Sequence, residues 1–385
     1  MANLQNPPLF RIGPIRPPSE ADSLLLQVTQ GCTWNKCKFC KLYRKTTFRA
    51  FSADSIKQDI DAIAYYASLV NRHISKDGSA DIDALNRELR SFDGEAQECY
   101  YMVANWLLRG GRNVFLQDGN TLALQDGRLT DVLYYLRKKL PTITRITSYG
   151  RAESMNRLST EEFIELRKAG LTRIHSGYES GSDEVLKFIN KGVTAAQEIE
   201  AGKKVKAAGI ELSVYFMPGV GGRALSQQNA VGMANVISEV DPDFIRIRTV
   251  AVKKRTELYE EFENGNMELC SDDEKVLEIR TIIEKSSCKN TVLVSDHIMN
   301  LLPDVKGRIS TDRERMLKII DDYLALPELD KRIYQLLRRS CRAERISDLK
   351  RLSKAERKML EPMCSLSISE KEWAIKMNEL LIKYV

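Results

Sequence analysis

The chain has 385 residues, of which 43% are hydrophobic and 29% are charged, and its net charge is +6. This apolar content is sufficient for a sizeable core and excludes intrinsic disorder and collagen-like order. The uncharged apolar runs are far shorter than the ~20 residues of a membrane span, and the N-terminus lacks the pattern of a signal peptide, so we expect a cytoplasmic globular protein.

Residues 1–22 are rich in proline and predict an extended arm laid over the folded body. A short apolar run then predicts a buried strand, and a loop with three cysteines follows it directly. A helix is expected to begin near Ala53, with Asp54 or Ser55 as its cap. Residues 70–110 are polar and compatible with helices, and we interpret them as an insertion.

Strands and helices alternate after this insertion. Strands are predicted at Asn113–Leu116, Thr144–Ser148, Arg173–Ser176, Glu211–Met217 and Phe244–Val250. Helices are predicted at Asp131–Lys139, Thr160–Ala169, Ser182–Ile189, Ala195–Ala208 and Ser226–Val240. This order predicts an α/β fold of about six parallel βα units, arranged as a full or partial barrel whose active site lies in the loops after the strands.

After residue 255 the alternation is less regular. Further elements are predicted at Thr291–Val294 (strand) and at Arg313–Leu326, Lys331–Arg339 and Glu370–Tyr384 (helices). We therefore expect three segments, which are the arm at 1–22, a barrel core at 23–256 and a mostly helical C-terminal region at 257–385.

Basic residues are concentrated in one part of that C-terminal region. Residues 331–358 hold eleven basic and three acidic residues, a local charge of +8, so the rest of the chain sums to −2. A run of this kind is usually the solvated face of helices, and the alternative interpretation is a surface for an acidic ligand such as RNA.

The three clustered cysteines are Cys32, Cys37 and Cys40, in the pattern C-x4-C-x2-C. Soft thiolates select zinc or iron–sulfur clusters. A structural zinc usually takes four ligands and no fourth Cys or His is near in sequence, whereas three ligands to a cubane leave one iron for a non-protein ligand. The spacing favours an iron–sulfur cluster over zinc, with free thiols as a third alternative. The other five cysteines are scattered and predict small buried apolar residues rather than a second cluster.

The sequence around these cysteines resembles the radical S-adenosylmethionine (SAM) superfamily. In that family the loop after the first strand of a partial (β/α)6 barrel ligates a [4Fe–4S] cluster whose open iron binds SAM. The commonest family spacing is C-x3-C-x2-C, so this loop has one additional residue. Phe39 stands before the last cysteine, where the family's aromatic residue packs near the adenine of SAM.

Four further segments resemble the family in matching order. Phe115–Asn120 occupies the place of the motif that contacts the amine of SAM, although the usual Glu is absent. His175–Leu186, followed by Lys191-Gly192, is similar to the fourth-strand signature of the branch with methylthiotransferases and B12-associated members. Tyr215–Gly222 matches the fifth-strand glycine motif, and Phe244–Thr249 fits the sixth strand.

The resemblance implies reductive cleavage of SAM to a 5′-deoxyadenosyl radical that abstracts a hydrogen from the substrate. It implies a [4Fe–4S] cluster and SAM as cofactors and a flavodoxin or ferredoxin as electron donor. The cluster ligands that it implies are Cys32, Cys37 and Cys40. The residues that we expect at SAM, because they match a family motif or end a predicted strand, are Phe39, Asp118, Asn120, Ser148, Arg151, Glu179, Gly219 and Arg248.

Catalytic residues are not identified by these motifs. His297 lies beside Asp296 after a predicted strand and is a candidate for binding substrate or relaying a proton, although a lone His is more often structural. Tyr149 is a candidate relay residue, but packing at the mouth of the barrel is the favoured interpretation. No B12-binding signature precedes the barrel.

We therefore predict a radical SAM enzyme that acts on an unidentified small molecule. One alternative is the modification of RNA through the basic segment 331–358, which is less favoured because no recognisable RNA-binding module is appended. The other alternative is a non-enzymatic iron–sulfur or zinc-binding module.

Overall fold

The computed structural model of the chain describes residues 7–124 and 127–384. The chain divides into two compact units. The first unit consists of Met1–Thr33, Lys45–His175 and Ala207–Glu211, and the second of Trp34–Arg44, Ser176–Lys206 and Leu212–Val385. The first six residues of the predicted arm lie outside the described residues. In the part of the chain that is described, none of the helices has the length and apolarity that crossing a membrane demands.

Ten strands and fifteen α-helices form the described structure. The strands are β1 (Leu24–Gln27), β2 (Thr29–Gln30), β3 (Arg49–Ala50), β4 (Asn113–Gln117), β5 (Arg145–Tyr149), β6 (Leu171–Glu179), β7 (Glu211–Phe216), β8 (Phe244–Ile247), β9 (Val292–Val294) and β10 (Gly307–Arg308). The helices are α1 (Ala53–Val70), α2 (Ile82–Leu89), α3 (Gly94–Leu108), α4 (Arg128–Lys139), α5 (Ala152–Asn156), α6 (Thr160–Ala169), α7 (Asp183–Phe188), α8 (Ala195–Ala207), α9 (Ser226–Val240), α10 (Glu257–Glu263), α11 (Asp272–Lys285), α12 (Ile309–Leu324), α13 (Glu328–Arg339), α14 (Lys354–Leu360) and α15 (Glu370–Ile382).

Parallel strands form the sheet of the first unit. β1 pairs with β4, β4 with β5, and β5 with the first half of β6, all in parallel. All four residues of β1 are buried, as are the last four of β4. Uniformly buried strands of this kind are typical of parallel sheets that are covered on both faces.

The second unit contains the later strands. β7 pairs in parallel with β8 and β8 with β9, and β10 closes this group in the antiparallel direction. A helix follows each long parallel strand, which confirms the predicted α/β class and the strand order expected of a partial (β/α)6 barrel. The predicted boundaries of the three segments stay a prediction.

Helix α1 shows how the sequence sets an element. It begins at Ala53 as predicted, but its cap is Ser52, whose Oγ accepts a hydrogen bond from the backbone N–H of Ser55 at 3.2 Å. The expectation of Asp54 or Ser55 as cap was wrong, because both residues already lie in the first turn, where a side chain no longer reaches the free N–H groups.

The basic segment is only partly a solvated face. Arg332, Arg338 and Arg339 on α13 are buried, so that expectation is wrong for them. Arg339 forms two hydrogen bonds with the carboxylate of Asp272, at 2.8 and 3.0 Å, and both side chains are almost fully enclosed. Carboxylate and carbonyl oxygens from other elements accept hydrogen bonds from these arginines, and this accommodates them in the interior.

The last helix closes the core of the second unit. Asn378 on α15 accepts a hydrogen bond from the N–H of Val252 at 2.8 Å and donates one to its carbonyl oxygen at 2.9 Å. Ala374 on the same helix packs in an apolar cluster with Val252 and Leu258. The chain segment that follows β8 is therefore held by residues far along the sequence.

Candidate functional site

Residues after β4 hold the start of the three-cysteine loop in the first unit. Asp118 accepts a hydrogen bond from the N–H of Gly31 at 3.3 Å, and Asn120 donates one to Oγ1 of Thr33 at 2.9 Å. Both neighbours of Cys32 are therefore fixed by the two polar residues that the sequence singled out. The geometry indicates a role in positioning Cys32.

The amide of Asn120 is fully used within the first unit. Its Nδ2 also donates to Oγ of Ser154 at 2.7 Å, and its Oδ1 accepts from the N–H of Arg151 at 3.2 Å. The guanidinium of Arg151 in turn lies 4.0 Å from Sγ of Cys32. A cationic side chain therefore lies beside the first cysteine of the loop.

Ser148, near the end of β5, has a fully buried side chain. Within residues 7–124 and 127–384 its hydroxyl group forms no hydrogen bond. A buried polar group without a partner costs about 1–3 kcal/mol, so such groups usually serve a ligand or another function. Ser148 therefore remains a candidate for contacting SAM.

Tyr149 and His175 are register partners on β5 and β6. The ring of Tyr149 lies 5.1 Å from that of Phe115 and 6.2 Å from that of His175, so Tyr149 packs among aromatic rings as favoured from the sequence. Sequence analysis missed the buried Glu20, which accepts hydrogen bonds from Ser23 and Arg145 and lies 3.3 Å from Nε2 of His175. Burial opposes the charged form, but His175, Ser23 and Arg145 together hold the pKa of Glu20 below its usual value.

The second half of the cysteine loop belongs to the second unit. Trp34 donates from Nε1 to the carbonyl oxygen of Asn190 at 2.7 Å, and the N–H of Lys38 donates to that of Ile189 at 2.9 Å. The Trp34 ring also lies where a side chain on Gly192 would be, since a Cβ there would approach it to 2.5 Å. Trp34 therefore anchors the loop, and it lies in the stretch between Cys32 and Cys37 that is one residue longer than usual. Sequence analysis missed this role of Trp34.

Two residues that are expected to contact SAM, Glu179 and Phe39, lie beside the ammonium group of Lys191 in the second unit. Glu179 ends β6 with a left-handed φ of 68° and pairs with Lys191 at 3.2 Å. The ammonium group of Lys191 lies 5.9 Å from the ring centre of Phe39, a cation–π contact. A non-glycine residue in this conformation is uncommon and tends to occur at functional sites.

Gly219, the glycine that is expected beside the adenine of SAM, is hydrogen-bonded to a side chain of α11. Sequence analysis did not connect this helix with Gly219. The N–H of Gly219 donates to Glu278 on α11 at 3.0 Å, and Ser226 and Asn229 donate to the same carboxylate at 2.7 Å each. Burial raises the pKa of Glu278 to about 7. No sequence motif marks Glu278, because its partners lie 49 to 59 residues away.

Three polar side chains, those of Tyr215, Arg248 and His297, lie near the carboxyl ends of β7, β8 and β9. The guanidinium of Arg248 lies 5.4 Å from the ring centre of Tyr215, and Arg246 pairs with Asp296 at 3.0 Å. Nδ1 of His297 accepts a hydrogen bond from the N–H of Met299 at 3.4 Å. Burial and, next, the charge of Arg248 lower the pKa of His297 to about 4, so its imidazole is neutral at pH 7.

The cysteines of the chain differ in their exposure to solvent. Cys37 is buried, whereas Cys32 and Cys40 are half-buried. Four of the five scattered cysteines are buried as expected, and Cys341 is the exception, because it is exposed. Among the described residues no three His, Cys, Asp or Glu side chains converge closely enough to hold a metal ion. The chemistry of these ligands nevertheless indicates what they bind, because three thiols on one anchored loop suit an iron–sulfur cluster.

Residues 26–230, just over half of the chain, match the family profile described as "Radical SAM superfamily". Two curated archaeal proteins match a shorter region. The tRNA uridine(34) acetyltransferase of Methanocaldococcus infernus is 28% identical over 120 residues, which are 31% of this chain and 22% of that protein. The protein of the same name from Methanocaldococcus jannaschii is 27% identical over 118 residues, or 30% and 22% of the two chains. The chain thus spans about a fifth of the length of these relatives.

Solved structures align with this chain at low similarity. The Elp3 protein of Methanocaldococcus infernus with an N-terminal deletion gives a TM-score of 0.39 at 20% identity, covering 48% of each chain. The radical SAM methyltransferase TsrM of Kitasatospora setae gives a TM-score of 0.42 at 13% identity, covering 63% of this chain and 37% of that one.

Proposed function

The chain belongs to the radical SAM superfamily, and from this membership we propose that it generates a radical from SAM and uses it on a small-molecule substrate. The chain is accordingly an enzyme that uses a [4Fe–4S] cluster and SAM, and this membership disfavours the alternative of a non-enzymatic metal-binding module. The observation that supports the proposal is the cysteine loop, which is anchored at residues directly beside Cys32 and Cys37.

We infer that Cys32, Cys37 and Cys40 are the protein ligands of the cluster. Three soft thiolates leave one iron free for SAM, which explains why a fourth protein ligand is not needed. When bound, the cluster supplies the electron that cleaves SAM into methionine and a 5′-deoxyadenosyl radical.

The residues of this chain have separate tasks in the proposal. Asp118 holds the backbone N–H of Gly31 and Asn120 holds the hydroxyl of Thr33, so that both neighbours of Cys32 are positioned by hydrogen bonds. The buried hydroxyl of Ser148 is free to hydrogen-bond SAM, and Phe39 and Gly219 contact its adenine. The electron donor that we propose is a flavodoxin or ferredoxin, as the resemblance to the superfamily implies.

RNA is the alternative substrate class, and the names of the two curated relatives favour it. Since Arg332, Arg338 and Arg339 are buried, an RNA-binding surface on the segment 331–358 would depend on its exposed basic residues. Among the basic residues of this segment that form ion pairs, Arg342, Arg345 and Arg351 are the most exposed. Each of the three lies beside a carboxylate, whereas Lys350, Lys354 and Lys358 are exposed. We favour the small molecule, because the buried arginines leave the segment less basic at its surface than in its sequence.

Anaerobically reconstituted protein tests the proposal. We expect about four irons and four sulfides per chain, without zinc, and release of 5′-deoxyadenosine when SAM and dithionite are added. The triple variant Cys32→Ala/Cys37→Ala/Cys40→Ala should lose both. The control is Cys341→Ala, which removes an exposed cysteine outside the loop and should keep both.

Two results would contradict the proposal. Zinc in place of iron would replace the cluster by a structural metal. Iron without any release of 5′-deoxyadenosine would leave the superfamily's reaction unsupported for this chain.

A further inference from the structure

We propose that Arg248 and His297 form a binding site for a carboxylate group of the small-molecule substrate. This inference rests on the proposed function and names the substrate class. It departs from the sequence prediction for Arg248, which was a contact with SAM.

The first argument is position. Tyr215 lies on β7, Arg248 directly follows β8, and His297 follows β9, and these three strands are parallel neighbours. Their carboxyl ends therefore lie side by side at one edge of the second unit. In α/β folds with parallel strands, ligands bind at this edge.

The second argument is charge. Arg246 is neutralised by Asp296 at 3.0 Å, and Lys191 by Glu179 at 3.2 Å. Within the described chain, Arg248 forms no ion pair with a carboxylate; its guanidinium group lies against the ring of Tyr215, and its charge lowers the pKa of His297. One half-buried positive charge therefore remains uncompensated, which matches a ligand group with a single negative charge.

The third argument is hydrogen bonding. Because a backbone N–H can only donate, Nδ1 of the neutral His297 is the acceptor towards Met299, and the proton of the imidazole resides on Nε2. Nε2–H is then a neutral donor near the charged donors of Arg248. The ring of Tyr215 contacts the guanidinium and restricts its orientation, so that fewer rotamers are lost when an anion binds.

These features favour a carboxylate over a phosphate. A guanidinium and one neutral donor compensate a monoanion, and guanidinium groups bind carboxylates through two parallel hydrogen bonds. A phosphate monoester carries nearly two negative charges at pH 7 and would need a second cation. The substrate class is thus a small molecule with a carboxylate.

The histidines offer a direct test, because the chain has only three of them, His73, His175 and His297. Reconstituted protein with isotope-labelled imidazole rings is titrated with sodium acetate, against sodium chloride at equal ionic strength, and the His297 resonances are assigned with His297→Asn. We expect a saturable shift of His297 with acetate alone, with half-saturation on the order of 10 mM. In Arg248→Gln the affinity should fall about tenfold, whereas Arg351→Gln, which changes an exposed arginine, should behave as the parent.

Further arms identify the source of the carboxylate. The shift of His297 should persist when S-adenosylhomocysteine is present at saturation, and it should be weaker with phosphate than with acetate. Loss of the shift with S-adenosylhomocysteine would assign the site to SAM and overturn the proposal. A stronger response to phosphate, an equal response to chloride, or an unchanged affinity in Arg248→Gln would overturn it as well. The titration contains no SAM and no reductant, so its failure is distinguishable from a failure to cleave SAM.

Discussion

Glu278 is a buried carboxylate that four hydrogen-bond donors surround, and it stabilises the conformation of the glycine loop after β7. The Gly219 N–H points to it, and a φ of 80° at Gly219 is a conformation that glycine adopts without strain. Because burial opposes its charge, the carboxyl group stays protonated in the folded chain well above the pH at which it ionises in the unfolded chain.

The pKa of Glu278 predicts how stability depends on pH. Burial raises this pKa from 4.5 to about 7, so its contribution to the free energy of unfolding is complete below pH 4.5 and is lost as the pH rises through 7. The steepest change is on the order of 1.4 kcal/mol per pH unit. His297 acts in the opposite direction, because its pKa is lowered from 6.5 to about 4 and its contribution is lost as the pH falls.

The contribution of Glu278 is isolated by comparing the parent chain with Glu278→Gln in urea unfolding between pH 4.5 and 7. His297 is common to both chains and cancels in the difference. We expect the parent to lose stability relative to Glu278→Gln as the pH rises. A difference that does not change with pH would show that Glu278 has an ordinary pKa.

At this scale the sequence singles out residues that follow a predicted strand or match a motif. Asp118, Asn120 and Arg151 were singled out in this way, because a strand end in an α/β fold favours polar function, and their contact with SAM stays a prediction. Glu20, Trp34 and Glu278 were missed, because their partners are distant in sequence and no motif marks them.

At the scale of elements, α9 and the turn between β6 and α7 meet backbone to backbone. A Cβ on Gly232 would lie 2.6 Å from the carbonyl carbon of Gly181 and 2.6 Å from the nitrogen of Ser182. Neither glycine has a left-handed φ, so lack of space rather than backbone conformation requires glycine here.

Gly232→Ala should therefore destabilise the protein by about 1–3 kcal/mol, since α9 must move away from the turn. Alanine has the higher helix propensity, so without this contact the same change would stabilise the helix by about 1 kcal/mol. The sign of the change in the free energy of unfolding, measured in urea, decides between the two. Gln228→Ala, at an exposed position of the same helix, is the control.

The order of elements was predicted well, because glycine-ended helices and short apolar strands alternate along the chain. The ends of the elements were less predictable. β6 extends from Leu171 to Glu179 rather than from Arg173 to Ser176, since pairing with a neighbouring strand sets its length. α12 begins at Ile309 instead of Arg313. At this earlier start, the carboxylate of Asp312 accepts a hydrogen bond from the backbone N–H of Arg308 at 2.8 Å.

At the scale of the whole chain, the excess positive charge is partly internal. Arg339 and Asp272 form a buried pair, and Arg338 donates from Nε to the carbonyl oxygen of Asn300 at 3.1 Å. Composition alone cannot reveal this, because a basic residue on a helix face reads the same in sequence whether that face is solvated or packed.

Arg339→Met should lower the free energy of unfolding by about 3–5 kcal/mol, because it leaves the charge of Asp272 buried and poorly compensated. Arg351→Met, which replaces a side chain that is 83% exposed, should change it by less than about 0.5 kcal/mol. Urea unfolding measures both. The double variant Asp272→Leu/Arg339→Met should recover much of the loss, and a single variant as stable as Arg351→Met would contradict the role of the pair.

The contact between Asn378 and Val252 also bears on how the protein is made. Asn378 lies 126 positions after Val252 in the chain, so a ribosome produces it long after Val252. The first unit is almost complete once Glu211 has emerged, whereas the apolar cluster around Leu258 waits for α15. During translation the unfinished second unit therefore exposes apolar surface for which chaperones compete.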